Sequence, residues 1–253
     1  MYEAVAEGGI TRFAAVFQST DPGEVGPVRS VRPQDPDIVA PFKGITAFSG
    51  GVAPIVSAMS AVSEDFSDDA GTAAQAFRRS TDRFAPHNLY ASASTLWSLA
   101  KAPYNQPPPD LFRYGRLQAG ATVARAIDVP MSPAADVRWA WQAGAWHRSQ
   151  DGVPFTVTGT GRVAPVNLII EYVRTVNAGY NDVAGTPVPT SVVTGSGKAM
   201  LLRDGHAIRG TWSKPGQSDV TTYTTLTGDP LQLHPGRTWV ELMPDTATVT
   251  VTP

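Results

Sequence analysis

The chain contains no cysteine, which removes disulfides, thiolate nucleophiles, iron–sulfur clusters and Cys-type zinc sites. Charge is also sparse: Asp, Glu, Lys and Arg make up 17% of the 253 residues, and their formal sum is -2. No broad basic field exists to draw nucleic-acid phosphates or an anionic membrane surface, so nucleic acid is not an expected partner. Residues 1–7 carry acid where a signal peptide has Lys or Arg, and no apolar core follows. The longest weakly polar run, residues 45–62, is broken by Gly50, Gly51 and Pro54 and reads as strand, turn and helix rather than a membrane span. His147, His206 and His234 lie far apart with no His-x-x-x-His pair, so neither a metal nor a cofactor is expected.

What is present is enough apolar material, 42% of residues, to offset the entropy of ordering and build a core. The expected fold is α+β, with an N-terminal mixed α/β domain over residues 1–110 followed by a mostly antiparallel β domain over 111–253. Residues 10–18 suit a buried strand, and Asp21-Pro22-Gly23 ends it. Asp35 before Pro36 suggests a helix start, with the helix running to about Phe42. Residues 44–48 form the next strand, Ser49-Gly50-Gly51 a tight turn, and residues 52–62 a helix with Val52, Ile55, Val56, Met59 and Val62 on one face. A further helix is expected over residues 72–79, and Ser92 or Ser94 can cap another that stops before Pro103.

Pro107-Pro108-Pro109 is a stiff spacer that cannot continue a helix, and composition changes after it. From Val123 on, Thr, Val, Gly and Trp dominate, with turn signals at Asp151-Gly152, Asp204-Gly205 and Pro235-Gly236. Asp-Gly accepts the positive φ angles of a two-residue hairpin turn. Alternation over residues 137–141 places Trp139 and Trp141 on one face. Trp139, Trp141, Trp146, Trp212 and Trp239 could stack on sugars, but large aromatic areas favour packing in the β domain's core.

Several segments, taken together and in order, carry a likeness. Tyr2-Glu3 with Glu7-Gly8-Gly9-Ile10-Thr11-Arg12-Phe13, then Val25-Gly26-Pro27-Val28-Arg29-Ser30-Val31-Arg32 and Pro86-His87-Asn88-Leu89-Tyr90, resemble successive signatures of the YerB-like family of bacterial envelope lipoproteins. Arg148-Ser149-Gln150-Asp151-Gly152, Gly195-Ser196-Gly197-Lys198-Ala199, Gly210-Thr211-Trp212 and Pro235-Gly236-Arg237-Thr238-Trp239 are similar to its C-terminal β module. The resemblance implies an exported, often lipid-anchored protein whose biochemical role is not established. Family members have further sequence before the Tyr-Glu pair, which implies a trimmed or shortened start here. They also tend to carry histidine where this chain has Phe155. An extracytoplasmic location is therefore expected, with any membrane attachment through a lipid anchor that this chain does not contain, and an unidentified envelope ligand or protein as partner.

Candidate chemistry concentrates in the first half. Arg29 and Arg32 flank an extended segment, and guanidinium groups grip carboxylates or phosphates bidentately. Convergence with the amides of Ser49, Gly50 and Gly51, which open a helix, would make an anion pocket. His87 and Asn88 set an imidazole and an amide side by side in a loop. The bland alternatives are ion pairs between the arginines and Glu3, Glu7, Asp35 or Asp37, and a structural role for the histidine. Gly195-Ser196-Gly197-Lys198 is not a phosphate loop, since Val192 stands where its first glycine belongs. Three functions follow as expectations: a binding or scaffold protein with a polar cleft for a wall-derived or otherwise anionic ligand; a hydrolase or transferase using Glu3 or Glu7 with His87 as acid and base; or a module docking a partner through the β domain. Whether it is an enzyme is left open.

Overall fold

Strands that alternate in and out, closed by tight turns and joined across long stretches of chain, carry most of the architecture. A computed structural model of the protein describes residues 1–68, 73–182 and 185–253. The fold is α+β and mostly β. It comprises two compact units: Met1–Ala15 with Asp110–Gly216 and Val220–Pro253, and Val16–Pro109 with Gln217–Asp219.

The proline spacer thus closes the smaller unit at Pro109. The first fifteen residues, expected in an N-terminal domain running to 110, join the larger unit instead. The reason is pairing: Tyr2–Val5 lies parallel to Thr238–Pro244, with Glu3 opposite Glu241.

The larger unit's main sheet runs from Thr11–Ala14 through Tyr2–Val5, Thr238–Pro244, Asn167–Asn181, Gly195–Arg203 and His206–Lys214 to Thr222–Thr225. A five-stranded sheet, Val153–Pro154, Ala145–Gln150, Ala135–Gln142, Ala126–Ser132 and Thr250–Thr252, supplies the other half of the core. Ile127, Val129, Val137, Trp139 and Trp146 from that sheet pack with Leu168, Ile170, Trp239 and Met243 from the first. Trp139, Trp146, Trp212 and Trp239 are buried, so these tryptophans are core rather than a sugar platform. Asp204 and Gly205 take φ of 51° and 69°, the left-handed pair that lets strands Gly195–Arg203 and His206–Lys214 close directly on each other. The Gly195-Ser196-Gly197-Lys198 stretch lies within a strand, which no phosphate loop does.

In the smaller unit, Ile45–Phe48 and Glu64–Ser67 pair in parallel, with helix α2 (Ala53–Ser60) crossing between them. Met59 is buried with Val31 and Phe48, and Ile55, Val56 and Val62 pack against them. Val52 leaves that face: it is the helix N-cap and is exposed. Helix α1 (Asp35–Val39) begins with Pro36 in its first turn and continues as a 3-10 turn, Ala40–Phe42. Ser92 Oγ accepts from the Thr95 amide at 3.4 Å and starts α3 (Ala93–Leu99).

Two further expectations fail. Of residues 10–18, only Thr11–Ala14 is a strand, and it is the sheet's edge, leaving Ile10 and Phe13 exposed. Of the helix expected over 72–79, Thr72 lies outside the described residues, Ala74–Ala76 is a single 3-10 turn, and Phe77–Arg79 is a strand. Pairing of Phe77–Arg79 with Leu89–Ser92 overrides local helix propensity.

Candidate functional site

The segment after Gly26-Pro27 has no regular structure of its own, yet backbone hydrogen bonds tie it to its neighbours on both sides. The Val28 amide donates to Leu89 O at 2.8 Å, Ser49 donates to Arg29 O at 3.0 Å, and Val31 donates to Gly50 O at 3.1 Å. The segment is therefore a strap between the Leu89–Ser92 strand and the turn that opens α2. Gly50 has φ 66°, a conformation that favours glycine. Gly51 is required for a different reason, since a Cβ there would meet Val31 Cγ2 at 2.6 Å.

This strap brings Arg29, Ser49, Gly50 and Gly51 together. Arg29 is half-buried, and among the described residues its guanidinium has no hydrogen-bond or ion-pair partner. Neither has the Ser49 hydroxyl. Val52 offers α2 no side-chain cap; Pro54 has no amide to give and Ile55 N donates to Val52 O at 2.9 Å, so among the described residues the Ala53 amide alone of that first turn is left to solvent or a ligand. Arg32 is used differently: Nη1 donates to Ser30 O at 3.3 Å and Val31 O at 3.0 Å, while its amide donates to Asp35 Oδ2 at 2.7 Å. It stiffens the strap and fixes the entry to α1.

His87 and Asn88 part company. The His87 ring is exposed on a turn in which its amide donates to Phe84 O at 3.0 Å. Asn88 is structural: Nδ2 donates to Ser80 O at 3.2 Å, and Oδ1 accepts from Arg79 Nη1 at 3.2 Å.

Glu3 and Glu7 are not the surface acids that an acid–base pair with His87 requires. Glu7 is buried in the 3-10 turn Glu7–Gly9 and accepts from Arg12 Nη2 at 3.4 Å. Glu3 is fully buried, as are Arg148 and Glu241. Arg148 donates through Nε and Nη2 to the two Glu3 oxygens, Trp239 Nε1 donates to Glu3 Oε2 at 3.0 Å, and Trp139 Nε1 donates to Glu241 Oε1 at 2.8 Å. Phe155 lies 4.3 Å from the Arg148 guanidinium carbon, with Phe13 and Trp239 each at 5.7 Å. Phe155 thus has a role here as an aromatic lid on a buried cation.

Burial, reinforced by the neighbouring Glu3 charge, raises the Glu241 carboxyl well above the usual range. Its Oε2 is buried without a partner, and a proton there supplies a donor toward Glu3. With that proton the triad would be neutral overall: one guanidinium, one carboxylate and one carboxylic acid. The sequence contained a signal for this cluster that spacing alone could expose. In the Ala145–Gln150 strand, Trp146 and Arg148 share a face by alternation, so a core tryptophan carries Arg148 inward with it.

On the opposite face of the main sheet, Tyr223 donates its hydroxyl to Glu171 Oε2 at 2.8 Å. Burial pushes Glu171 up to about 7, against the lowering effects of Tyr223 and Lys214. Among the described residues no three His, Asp or Glu side chains group as metal ligands, and no helix is long and apolar enough to cross a membrane.

Comparison with known proteins gives one consistent answer. Residues 1–105 match the family model described as "Protein of unknown function (DUF3048) N-terminal domain", and residues 127–240 match its C-terminal counterpart. The chain is 27% identical over 252 residues to the Bacillus subtilis (strain 168) protein named "Putative lipoprotein YerB", covering 96% of this chain and 74% of that one. This chain belongs to the YerB-like family. A crystal structure of YerB from Bacillus subtilis aligns over 100% of the chain and 85% of its own, with a TM-score of 0.79 and 26% identity. The YerB-like family is one of unknown function, so the fold is shared and the chemistry must be argued from the residues.

Proposed function

We propose that this protein is an extracytoplasmic cell-envelope binding protein that holds an anionic group at Arg29, Ser49, Gly50 and Gly51. One observation carries the reading: Arg29 is half-buried on a strap tied to its neighbours by backbone hydrogen bonds, yet among the described residues its guanidinium is matched by no acid. A planar fork of donors held beside an unpartnered hydroxyl favours a carboxylate or phosphate. The name of the Bacillus subtilis relative supports the envelope address. A ligand derived from the cell wall, which carries both carboxylates and phosphates, suits that address and this chemistry. His87 and Asn88 border the reading rather than carry it, since Asn88 is occupied by the Ser80 turn.

The acid–base reading with Glu3 or Glu7 is not retained, because the Glu3 carboxylate is enclosed with Arg148 and Glu7 is held by Arg12. The test is calorimetry with muramyl peptides and inorganic phosphate on wild type, Arg29→Ala and Arg29→Lys. Loss of a charge-assisted, two-pronged contact should weaken binding about tenfold or more in Arg29→Ala, with Arg29→Lys between. Equal affinity in all three proteins would reject the site. Fractionation of cells carrying the native gene checks the address independently.

A further inference from the structure

The turn joining Phe77–Arg79 to Leu89–Ser92 presents a large apolar side chain to water and braces it there. Phe84 is 93% exposed, more than any other large hydrophobic side chain among the described residues. It does not hang on a slack loop. Ser80 N donates to Asn88 O at 2.7 Å and His87 N donates to Phe84 O at 3.0 Å. Asn88 Nδ2 closes the base of the turn on Ser80 O at 3.2 Å, and Asp82 N donates to Ser80 Oγ at 3.1 Å.

Charge around the tip is mixed. Arg78 is answered by Glu24, and Arg79 by Asp68. Asp82 turns toward the Ser80 hydroxyl. Among the described residues Arg83, next to Phe84, meets only the Tyr90 hydroxyl, at 3.5 Å, and has no carboxylate at ion-pair distance beside the exposed ring. His87 is exposed on the other side.

A single projecting ring flanked by an unmatched arginine is too small to form a stable protein interface, which needs about 800 Å² per partner. It does match the boundary of an anionic bilayer, where an aromatic ring enters the interface and a guanidinium meets headgroup phosphates. We propose that the Arg83–Phe84 tip is a peripheral contact with anionic lipid headgroups, positioning the smaller unit against a membrane surface. This rests on the envelope reading above for its setting but not on the Arg29 site.

The absence of cysteine makes the test direct. Phe84→Cys, carrying an environment-sensitive fluorophore, is mixed with vesicles of phosphatidylcholine alone or with about one-third phosphatidylglycerol. The label should brighten and shift to the blue on the anionic vesicles only, while the same label at the exposed Ala134 of the larger unit stays unchanged. In sedimentation with unlabelled protein, Phe84→Ala should lower the partition coefficient about tenfold and Arg83→Ala about fivefold, with Arg29→Ala equal to wild type. Equal response at 84 on neutral vesicles, no response at all, or sedimentation insensitive to both substitutions would overturn the proposal. Failure of the envelope reading would instead show as a cytoplasmic protein in cells whatever the vesicles do.

Discussion

The buried triad of Glu3, Arg148 and Glu241 sets two carboxyls beside one guanidinium, and burial favours a proton on Glu241. Replace Arg148 by methionine, which fills similar apolar space against Phe155, and the Glu3 carboxylate loses its counterion inside the core. At pH 7 it must take up a proton to remain buried. Taking an ordinary carboxyl value near 4.3, that neutralisation alone costs about 3–4 kcal/mol, within the range of about 3–5 kcal/mol for breaking a buried pair from one side. The thermal midpoint of the larger unit should fall by about 10 °C.

Three companions make the reasoning decisive. At pH 5 the penalty of Arg148→Met should shrink to about 1 kcal/mol, because the proton is then nearly free to acquire. Adding Glu3→Gln to Arg148→Met should recover most of the loss. Glu241→Gln replaces a neutral acid by a neutral amide, which can still accept from Trp139 and donate to Glu3, and should cost less than about 1 kcal/mol. Urea unfolding, followed by the fluorescence of the core tryptophans, measures all four. If Glu241→Gln proved as damaging as Arg148→Met, both carboxyls would be ionised and the neutral-triad account would be wrong.

Other outcomes follow from the same geometry. Glu171 is raised from 4.5 to about 7, so the folded state holds a proton there that the unfolded chain releases. The stability it contributes is full below about pH 4.5 and lost by about pH 7, roughly 3 kcal/mol in all. Urea midpoints should fall over that window, and Glu171→Gln should flatten the profile. Gly210 allows no side chain, since a Cβ would stand 2.1 Å from Thr224 O. Gly210→Ala should therefore separate the His206–Lys214 and Thr222–Thr225 strands and cost more than about 2 kcal/mol by thermal denaturation. Asn88→Ala should loosen the turn at Ser80 by about 1 kcal/mol, read as faster amide exchange at Ser80, without altering anion binding.

What sequence made legible was whatever is decided locally. Ser92 caps α3 because a hydroxyl beside a helical run accepts from the third amide, and Asp204-Gly205 turns because that pair tolerates positive φ. Alternation around Trp139 gave the core face of its strand. The Arg29–Gly51 neighbourhood was legible in outline, because the strap and the turn before α2 are close in sequence. What stayed hidden was nonlocal. Tyr2–Val5 pairs with a strand more than two hundred residues away, and no local pattern distinguishes that partner from one in the first hundred residues. The same pairing turned Glu3 from an apparent surface acid into a core ion, just as pairing with Leu89–Ser92 converted Phe77–Arg79 from expected helix to strand.

The central claim, an anionic ligand at the strap, is tested most directly by amide NMR shifts of the intact protein titrated with a muramyl peptide. The account predicts saturable changes centred on Ser49, Gly50, Gly51 and the Arg29 side-chain Nε, all abolished in Arg29→Ala. Shifts clustered elsewhere, or a response at these amides that survives loss of the Arg29 guanidinium, would contradict it.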